Sequence, residues 1–304
     1  MTLLFYIISI FFIFVIVFVL YNFYKINIDY YGQILKNANI PDYTRWILSD
    51  KYVAKEYAKK FGFKISKTYE IKKYPQKITY SSDSYVIKPL DLCDSAGVYL
   101  IKNGINIKTG KEINKNEIIN ELLSLRSNIY NEYYMHDNMY NGLVPFSGYI
   151  KEELLLDNDK IPHDYKCYIF GGKLYYIAVT FNRKTINGIQ TFNSVWFDHN
   201  WKPIKIKMIK NGYVYKKIKK PDCFDNLIKL VENMGQQLKR HCRIDIYIIK
   251  NEIYFGEFTF FCGANLHTFL CNLNLGYLWI KNKDDYDFED KNIKALVPNY
   301  YNKP

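Results

Sequence analysis

The sequence predicts an α+β fold that follows a single apolar helix, and three observations support this prediction. The 304-residue chain contains 49% hydrophobic and 24% charged residues, which is ordinary for a globular protein and excludes general disorder. Stretches with the apolar period of an amphipathic helix alternate with short apolar runs that are typical of strands, some of them paired across turns as β-hairpins. The N-terminus carries a long apolar run without a charge.

The N-terminal run, Leu3 to Tyr21, has 19 residues, none of them charged. A helix needs about 20 such residues to cross the hydrocarbon core of a bilayer. A secretory signal peptide would begin with a basic residue, whereas the first lysine here, Lys25, follows the run. The positive-inside rule then places the C-terminal side in the cytosol. We therefore predict a single-pass membrane protein with a cytosolic domain; a buried core helix is the alternative.

The predicted organisation is a transmembrane anchor (1–24), a linker (25–44), one α+β domain (45–280) and a C-terminal tail (281–304). The formal net charge is +12, which is compatible with nucleic acid, nucleotide, acidic polymer or a membrane as partner, or with a solvated basic face. No nucleic-acid-binding motif is present, so we expect no nucleic-acid partner. None of the six cysteines forms a C-x-x-C pair, which argues against zinc and for reduced thiols.

A short helix ending near Trp46 is predicted within residues 26–48, and longer helices are predicted in three places after it. They cover residues 51–61, capped by Ser49 or Asp50 and ended by Gly62, residues 115–140, and residues 224–240, capped by Asp222 or Asp225. Strands are predicted at residues 63–69, 85–88, 97–102, 147–155, 164–170, 173–181, 194–197, 202–206, 243–249 and 253–260. The remainder, 261–304, is predicted to be mostly loop with a short helix.

The most informative segment is the predicted hairpin of residues 243–249 and 253–260. If three residues connect the strands, Asp245 lies opposite Glu257, and the two carboxylates share one face. A two-residue loop would offset the pair. The other face is predicted to pack in the core and carries Ile244, Ile246, Ile248, Tyr254, Phe258 and Phe260, with Gly256 as a gap.

Two neighbouring carboxylates on apolar strands repel each other, so a cation is expected between them. Mg²⁺ is the natural candidate, because one or two carboxylates usually hold it together with substrate phosphates. The alternative is a salt bridge between one carboxylate and Arg243, with the second carboxylate solvated. In the predicted register Arg243 lies opposite Thr259, on the face that carries the carboxylates.

A lysine at the end of a short apolar strand suggests phosphate binding. Lys88 ends the strand YVIKP, and the loop after it contains Ser95 and Gly97. A lysine ammonium acts as a point charge for phosphate, and loop amides can donate to its oxygens. The loop is not a P-loop and lacks G-x-G-x-x-G, so a solvated lysine is the alternative.

The middle of the chain adds a pair of glutamates and a second lysine. Glu152 and Glu153 stand at the end of a predicted strand, where adjacent glutamates are most often solvated. Lys166 lies on the first strand of the predicted hairpin 164–181, a position that is compatible with a role in neutralising phosphate charge.

Taken in order, these pieces resemble the TupA-like group of the ATP-grasp superfamily, which is named for teichuronopeptide biosynthesis. The resemblance covers roughly residues 45–280, and the run DYK-x-x-x-FGGK followed by RIDIY and FGEFTF is specific. The matching segments are SDKYVAKEYAKKFG (49–62), YVIKPLDLCDSAGVYLI (85–101), YIKEELLL (149–156), DYKCYIFGGKLYYIAV (164–179), VWFDHNWKPI (195–204), KPDCFDNLIKLVENMGQQL (220–238) and RIDIYIIKNEIYFGEFTFFCGA (243–264).

The resemblance implies an ATP-grasp fold, in which two α+β lobes with antiparallel sheets grip ATP, and it implies ATP and Mg²⁺ as cofactors. The residues that it implies at the nucleotide are the helix lysine Lys51, the strand lysine Lys88, Ser95 and Gly97 in the closing loop, Glu152 and Glu153 beside adenine and ribose, and Lys166 at the phosphates. It implies Asp245 and Glu257 as magnesium ligands, Thr259 where many members have Asn, and Arg243 beside the reacting carbonyl. The loop departs from the pattern, because it has only one glycine.

The reaction that the resemblance implies is activation of a carboxylate by ATP as an acyl phosphate, which an amine then attacks. The family also implies a role in cell-surface polysaccharide or glycopolymer synthesis, with a glycan-linked or small-molecule carboxylate and an amine acceptor as partners. Two alternatives are a small-molecule or sugar kinase on the same fold and a non-catalytic nucleotide-binding scaffold, which the single glycine of the loop favours. The sequence names neither substrate.

Overall fold

The computed structural model describes residues 2–38, 40, 42–92, 95–133, 148–186, 189–262, 266–286, 288, 290, 293 and 296. Its helices are α1 (Thr2–Asn27), α2 (Tyr30–Ala38), α3 (Tyr43–Leu48), α4 (Lys51–Lys59), α5 (Lys115–Tyr133), α6 (Phe224–Leu238) and α7 (Phe269–Lys281), with a 3-10 turn at Pro75–Lys77. Its strands are β1 (Thr68–Lys72), β2 (Tyr85–Pro89), β3 (Tyr99–Lys102), β4 (Ile105–Asn106), β5 (Lys111–Glu112), β6 (Tyr149–Glu152), β7 (Asp164–Phe170), β8 (Lys173–Ile186), β9 (Ile189–Asp198), β10 (Cys242–Ile249) and β11 (Glu252–Thr259).

Two sheets form the framework of the domain. The strand order is β1-β6-β2-β3-β4-β5 in the first sheet and β11-β10-β7-β8-β9 in the second. Neighbouring strands pair antiparallel in both sheets. The predicted α+β fold with antiparallel sheets is therefore confirmed.

Helices cover both faces of the five-stranded sheet. Along β7, Cys167 and Ile169 point into a core that also contains residues of α4 and α6. Tyr168 and Phe170 alternate with them and point into a second core, which contains residues of α2 and α7. The six-stranded sheet packs against α5 in a smaller core of its own. Residues of both sheets line one cleft between them.

The caps of two helices test the predicted helix boundaries. Asp50 caps α4 as predicted, because its side chain accepts hydrogen bonds from the backbone N–H groups of the first turn. At α6 the predicted caps are wrong: the N-cap residue is Cys223, without a side-chain cap bond. That helix ends at Leu238 because Lys239 takes a left-handed conformation, with φ of 53°.

The N-terminal apolar run forms α1, with its large side chains exposed, among them Phe11, Phe14 and Phe18. Across the residues that the structure describes, no helix is long and apolar enough to cross a membrane. The predicted helix is therefore confirmed, whereas the predicted transmembrane span is not.

Part of the predicted linker (25–44) is a packed helix. It contains α2, whose Tyr30 is fully buried and donates to or accepts from His241 Nε2 at 2.7 Å. The backbone at Ile28–Tyr30 lies directly against Gly276 of α7, where a Cβ atom would overlap it. The N-terminal helices are thus docked on the domain through a contact that only glycine permits.

Several predicted boundaries differ from the structure. The strand predicted at 63–69 is β1, shifted to Thr68–Lys72, while Lys64 forms an isolated bridge with Tyr254. Residues 202–206 are not a strand and form one isolated bridge at Pro203. The predicted helix 115–140 is described as far as Tyr133, and its last residues lie outside the described part. The C-terminal segment, expected to be mostly loop, contains the 13-residue helix α7.

Candidate functional site

The β10–β11 hairpin pairs Asp245 with Glu257, as the sequence predicts, but through a different turn. Only Lys250 and Asn251 connect the strands, so the predicted three-residue loop is wrong. Both have positive φ, 50° and 63°, which is the geometry of a tight two-residue hairpin turn. A β-bulge next to Asp245 adds one residue to β11 and brings the two carboxylates back into register.

Gly256 is the extra residue of this bulge. Asp245 pairs with Glu257 and the next residue of β10 pairs with Phe255, which leaves Gly256 between them. A Cβ atom at Gly256 would lie 2.9 Å from the carbonyl oxygen of Asp245, so a larger residue would displace that strand. The bulge also turns Phe255 into the core, and the prediction that Tyr254 packs there is wrong, because Tyr254 is only half-buried.

Two cations hold the Asp245 carboxylate. Arg243 donates from Nε to Oδ1 at 2.6 Å and from Nη2 to Oδ2 at 2.7 Å. Lys166 lies directly opposite Asp245 in the β7–β10 ladder and donates to Oδ2 at 2.5 Å. Burial raises the pKa of Asp245, but the charges of Arg243 and Lys166 outweigh it and lower that pKa to about 2. The salt bridge that the sequence leaves open as an alternative is therefore present.

A further carboxylate extends this network along β7. Asp164 Oδ2 accepts from Lys166 Nζ at 2.8 Å and from Arg183 Nη2 at 2.5 Å. Burial lowers the pKa of Arg183, but Asp164, Tyr247 and Asp245 together outweigh this effect, so that pKa is raised. Asp164 Oδ1 is buried and has no hydrogen-bond partner among the described residues. One polar oxygen of the network therefore remains for a ligand or a water molecule.

The oxygen donors of the hairpin fit a magnesium ion that is shared with a nucleotide. Within the described residues, no cluster of three or more His, Cys, Asp or Glu side chains could hold a metal by itself. Mg²⁺ needs fewer protein ligands, because it keeps several waters and takes phosphate oxygens. A carboxylate offers about four lone-pair sites, so Asp245 keeps acceptor capacity beyond its bonds to Arg243 and Lys166. Together with Glu257 opposite, it offers two carboxylates, and one or two are enough to hold such an ion with phosphates.

Glu152 bridges two lysines on the other side of the cleft. Its Oε1 lies 2.7 Å from Lys88 Nζ, and its Oε2 pairs with Lys55 Nζ. Lys55 is only 1% exposed and also donates to Ser66 Oγ at 2.7 Å. Burial, with the charge of nearby Lys51, lowers the pKa of Lys88 to about 7. Glu152 thus positions both lysines, and the adenine or ribose contact implied for it stays a prediction.

Lys51 ties the start of α4 to the chain that follows β2. Its Nζ donates to the carbonyl oxygen of Leu90 at 3.4 Å and to that of Leu92. Its side chain is therefore engaged with backbone oxygens at the edge of the cleft. Its predicted contact with ATP stays a prediction.

The loop after Leu92 is described from Ser95 onward, and Asp94 lies outside the described residues. Ser95 and Gly97 have φ of 61° and 65°. At Gly97 a Cβ atom would also lie 2.8 Å from Leu122, so this position requires glycine. The single glycine of the loop therefore has a structural reason that is independent of phosphate binding.

A cavity of about 320 Å³ between the two sheets brings most of the predicted site together. Nine of the eleven predicted site residues line it: Lys51, Lys88, Ser95, Glu152, Glu153, Lys166, Arg243, Asp245 and Glu257. The other two lie next to it. Thr259 Oγ1 accepts from Arg243 Nη2 at 3.0 Å, and Gly97 lies two residues beyond Ser95.

The floor of the cavity changes from charged to apolar across the sheet. One row of neighbouring residues runs from Glu257 on β11 through Asp245 and Lys166 to Ala178 and Trp196 on β9. The small side chain of Ala178 leaves room between Lys166 and the indole of Trp196. The cavity thus has a charged end suited to phosphate and an aromatic end suited to a second substrate.

Three further residues line the same cavity, and the sequence analysis does not identify them as candidates: Lys55, Asp164 and Arg183. Lys55 stands four residues after Lys51 on one helix, which places both on the same side, and this spacing is the signal that could have found it. Asp164 stands two residues before Lys166, so the strand period puts both on one face. Arg183 has no such local signal.

Two antiparallel sheets around a cleft, with Lys88 on one wall and the carboxylates of Asp245 and Glu257 on the other, are the arrangement of the ATP-grasp class of proteins. The chain belongs to the TupA-like ATP-grasp family, whose family model matches residues 32–273. The predicted family is therefore confirmed. Proteins of this class use ATP and Mg²⁺, and nucleotide binding is the property that the class shares.

Solved structures with a similar fold include several ligases. D-alanine–D-alanine ligase from Helicobacter pylori is 16% identical, with a TM-score of 0.41 over 78% of this chain and 60% of that chain. The ATP complex of D-alanine–D-alanine ligase from Bacillus anthracis is 14% identical, with a TM-score of 0.45 over 83% and 71%. L-amino acid ligase from Bacillus licheniformis is 10% identical, with a TM-score of 0.42 over 73% and 43%. No curated protein matches the sequence significantly.

Proposed function

We propose that this protein is an ATP- and Mg²⁺-dependent ligase that activates a carboxylate as an acyl phosphate for attack by an amine. The observation that carries the proposal is the group formed by Arg243, Asp245 and Lys166 next to Glu257. This group combines two carboxylates with two cations. It lies in the same cavity as the aromatic residues that we assign to the second substrate. Transfer of a phosphoryl group to a carboxylate needs such charges and no covalent nucleophile.

Each charged residue of the cleft has a separate role in the proposed mechanism. Lys88 on one wall and Lys166 on the other neutralise the phosphates of ATP as charge shifts to the leaving diphosphate. Asp245 and Glu257 would hold Mg²⁺, which supplies charge neutralisation between phosphate oxygens. Arg243 lines the cavity, and its guanidinium would stabilise the oxyanion formed when the amine attacks.

Proton balance follows from the chemistry of the two steps. The carboxylate oxygen attacks the γ-phosphorus, the bond to the β,γ-bridging oxygen breaks, and ADP leaves. The amine nitrogen then attacks the acyl carbon, phosphate leaves, and the nitrogen loses a proton. Asp164 Oδ1, one of the buried atoms of this cavity that lack a partner in the described part of the chain, is the acceptor that we propose for this proton.

We also propose that the enzyme is attached to a membrane by α1, faces the cytosol and acts in cell-surface polysaccharide synthesis. The exposed apolar side chains of α1 support attachment, since a helix that is apolar all round is unfavourable in water. The first lysine after the apolar run supports a cytosolic domain. The polysaccharide role rests on analogy with the family.

Trapping with hydroxylamine tests the proposed reaction without knowledge of the natural amine. The protein is incubated with ATP, Mg²⁺, hydroxylamine and pools of amino acids or sugar acids, and hydroxamate and ADP are measured. Equal amounts of hydroxamate and ADP are expected with one pool, and Arg243→Ala should lose both. A phosphorylated product without hydroxamate would show a kinase instead. Nucleotide that binds without release of any ADP would indicate the non-catalytic scaffold.

A further inference from the structure

An exposed apolar surface lies beside the start of α7. Four large side chains contribute to it: Ile206 is 57% exposed, Leu266 48%, Phe269 54% and Leu270 58%. We call these four residues the α7 surface. Large apolar side chains that are exposed singly are common, whereas a contiguous group of them marks an interaction site.

Hydrogen bonds between two segments make the α7 surface contiguous. Thr268, the N-cap residue of α7, donates from its backbone N–H to Met208 at 3.0 Å and from Oγ1 to the carbonyl oxygen of Lys207 at 2.7 Å. The backbone N–H of Lys210 donates to Leu266 at 2.7 Å. Residues 205–210 therefore lie alongside residues 266–270, which places Ile206 next to the apolar residues of α7.

The rim of the α7 surface is basic. Lys205, Lys207 and Lys210 are exposed on the same short segment as Ile206. Residues 199–221 contain no Asp or Glu, so the segment itself supplies no counter-charge. An apolar centre with a rim of lysines matches a bilayer that carries anionic headgroups.

The position of α1 also points to a lipid surface. The ring of Phe269 in the α7 surface stacks on Tyr21 near the end of α1, with centroids 6.3 Å apart. The close contact of Gly276 with Ile28–Tyr30 holds the chain after α1 against the middle of α7. The α7 surface therefore lies where the exposed apolar helix meets the domain.

We propose that the α7 surface docks on an anionic lipid bilayer, beside the point where α1 enters it. This inference rests on the proposed attachment by α1. Leu266 lies in the α7 surface and also lines the aromatic end of the cavity, as does its neighbour His267. Docking thus brings that end of the cavity to the headgroup layer, within reach of a substrate carried by a lipid.

Hydrogen exchange of the full chain on vesicles tests the proposal. The protein is reconstituted with phosphatidylcholine vesicles or with vesicles in which about a third of the lipid is phosphatidylserine, and flotation measures attachment. The rate of hydrogen exchange of the amides in 205–210 and 266–270 is then compared between the two kinds of vesicle. Each lysine near an anionic surface favours binding about fivefold, so loss of two of the three rim lysines should weaken docking roughly 25-fold. We expect exchange at these amides to slow roughly tenfold on the anionic vesicles only.

Charge variants provide the matched control. Lys205→Gln/Lys207→Gln should lose the slowing on anionic vesicles while flotation is unchanged. Lys59→Gln/Lys229→Gln removes the same charge from α4 and α6, on the opposite face of the sheet, and should behave like the wild type. Flotation with equal exchange on both vesicles would overturn docking and leave the attachment by α1 intact. Failure to float with either vesicle would overturn both.

Discussion

Oε1 of Glu152 lies 2.7 Å from Nζ of Lys88, and the same carboxylate also binds the buried Lys55. Since Lys55 lies on α4, Lys88 on β2 and Glu152 on β6, one side chain joins three elements at the wall of the cleft. The lysine expected at the ATP phosphates is therefore held in place before any nucleotide arrives, which lowers the cost of ordering it on binding.

Removing the charge of Glu152 should destabilise the fold. Glu152→Gln leaves Lys55 buried without a counter-charge, and breaking such a buried pair costs about 3 kcal/mol or more. Urea unfolding measures the loss. Glu153→Gln is the control: Glu153 accepts one bond from the backbone of Lys67, so its loss should stay below about 1 kcal/mol. A Glu152→Gln protein as stable as the wild type would refute the buried pair.

The affinity for ATP should fall as the pH rises above about 7. Burial and Lys51 lower the pKa of Lys88 to about 7, so the free protein loses this charge at neutral pH, whereas bound phosphates favour the charged form. Binding must then take up a proton, and affinity should drop roughly 50-fold between pH 7 and 9. Calorimetry in buffers of different ionisation enthalpy measures the uptake. Lys88→Arg keeps its charge and should bind with a flat pH profile; a flat profile in the wild type contradicts the lowered pKa.

The bulge at Gly256 should be required for the metal site. In Gly256→Ala the new Cβ atom presses on the carbonyl oxygen of Asp245, which should cost about 1–3 kcal/mol and weaken Mg²⁺-dependent nucleotide binding. Gly110→Ala is the control, because Gly110 has positive φ but open space around it, so it should lose only about 1 kcal/mol. Equal nucleotide binding by both variants would show that the bulge does not set the carboxylate pair.

The close contact at Gly276 should control the docking of α2. In Gly276→Ala the Cβ atom overlaps the backbone at Ile28–Tyr30, so α2 should detach from α7 and its amides should exchange roughly tenfold faster. Hydrogen exchange of the full chain measures this. Tyr277→Ala, at the neighbouring exposed position of α7, should leave the exchange of α2 unchanged.

Local patterns predict the parts of the site that lie on one hairpin. Alternation along β10 and β11 suffices to place Asp245, Glu257 and Arg243 on one face. The turn length is not encoded as clearly, and the predicted pairing holds only because the bulge at Gly256 compensates for a shorter turn. A glycine in a strand is the usual sign of such a bulge, so Gly256 is the feature of the sequence that indicates it.

Contacts between distant segments explain what the sequence does not predict. Lys166 and Asp245 are 79 positions apart, and their pairing depends on β7 lying next to β10 in the sheet. The burial of Lys55 depends on Glu152, which is 97 positions away. No local pattern separates such a lysine from a solvated one, because its counter-charge comes from another element.

The central claim is that Asp245 and Glu257 bind ATP through Mg²⁺ in this cleft. The most direct measurement is the shift in Tm that ATP causes, with and without Mg²⁺, in the wild type and in Asp245→Asn/Glu257→Gln, each relative to its own ligand-free Tm. A ligand at 100 times its Kd should stabilise the protein by about 2.7 kcal/mol. We predict a shift in the wild type that requires Mg²⁺ and is lost in the double variant. An equal shift in both proteins, or none in the wild type, would contradict the claim.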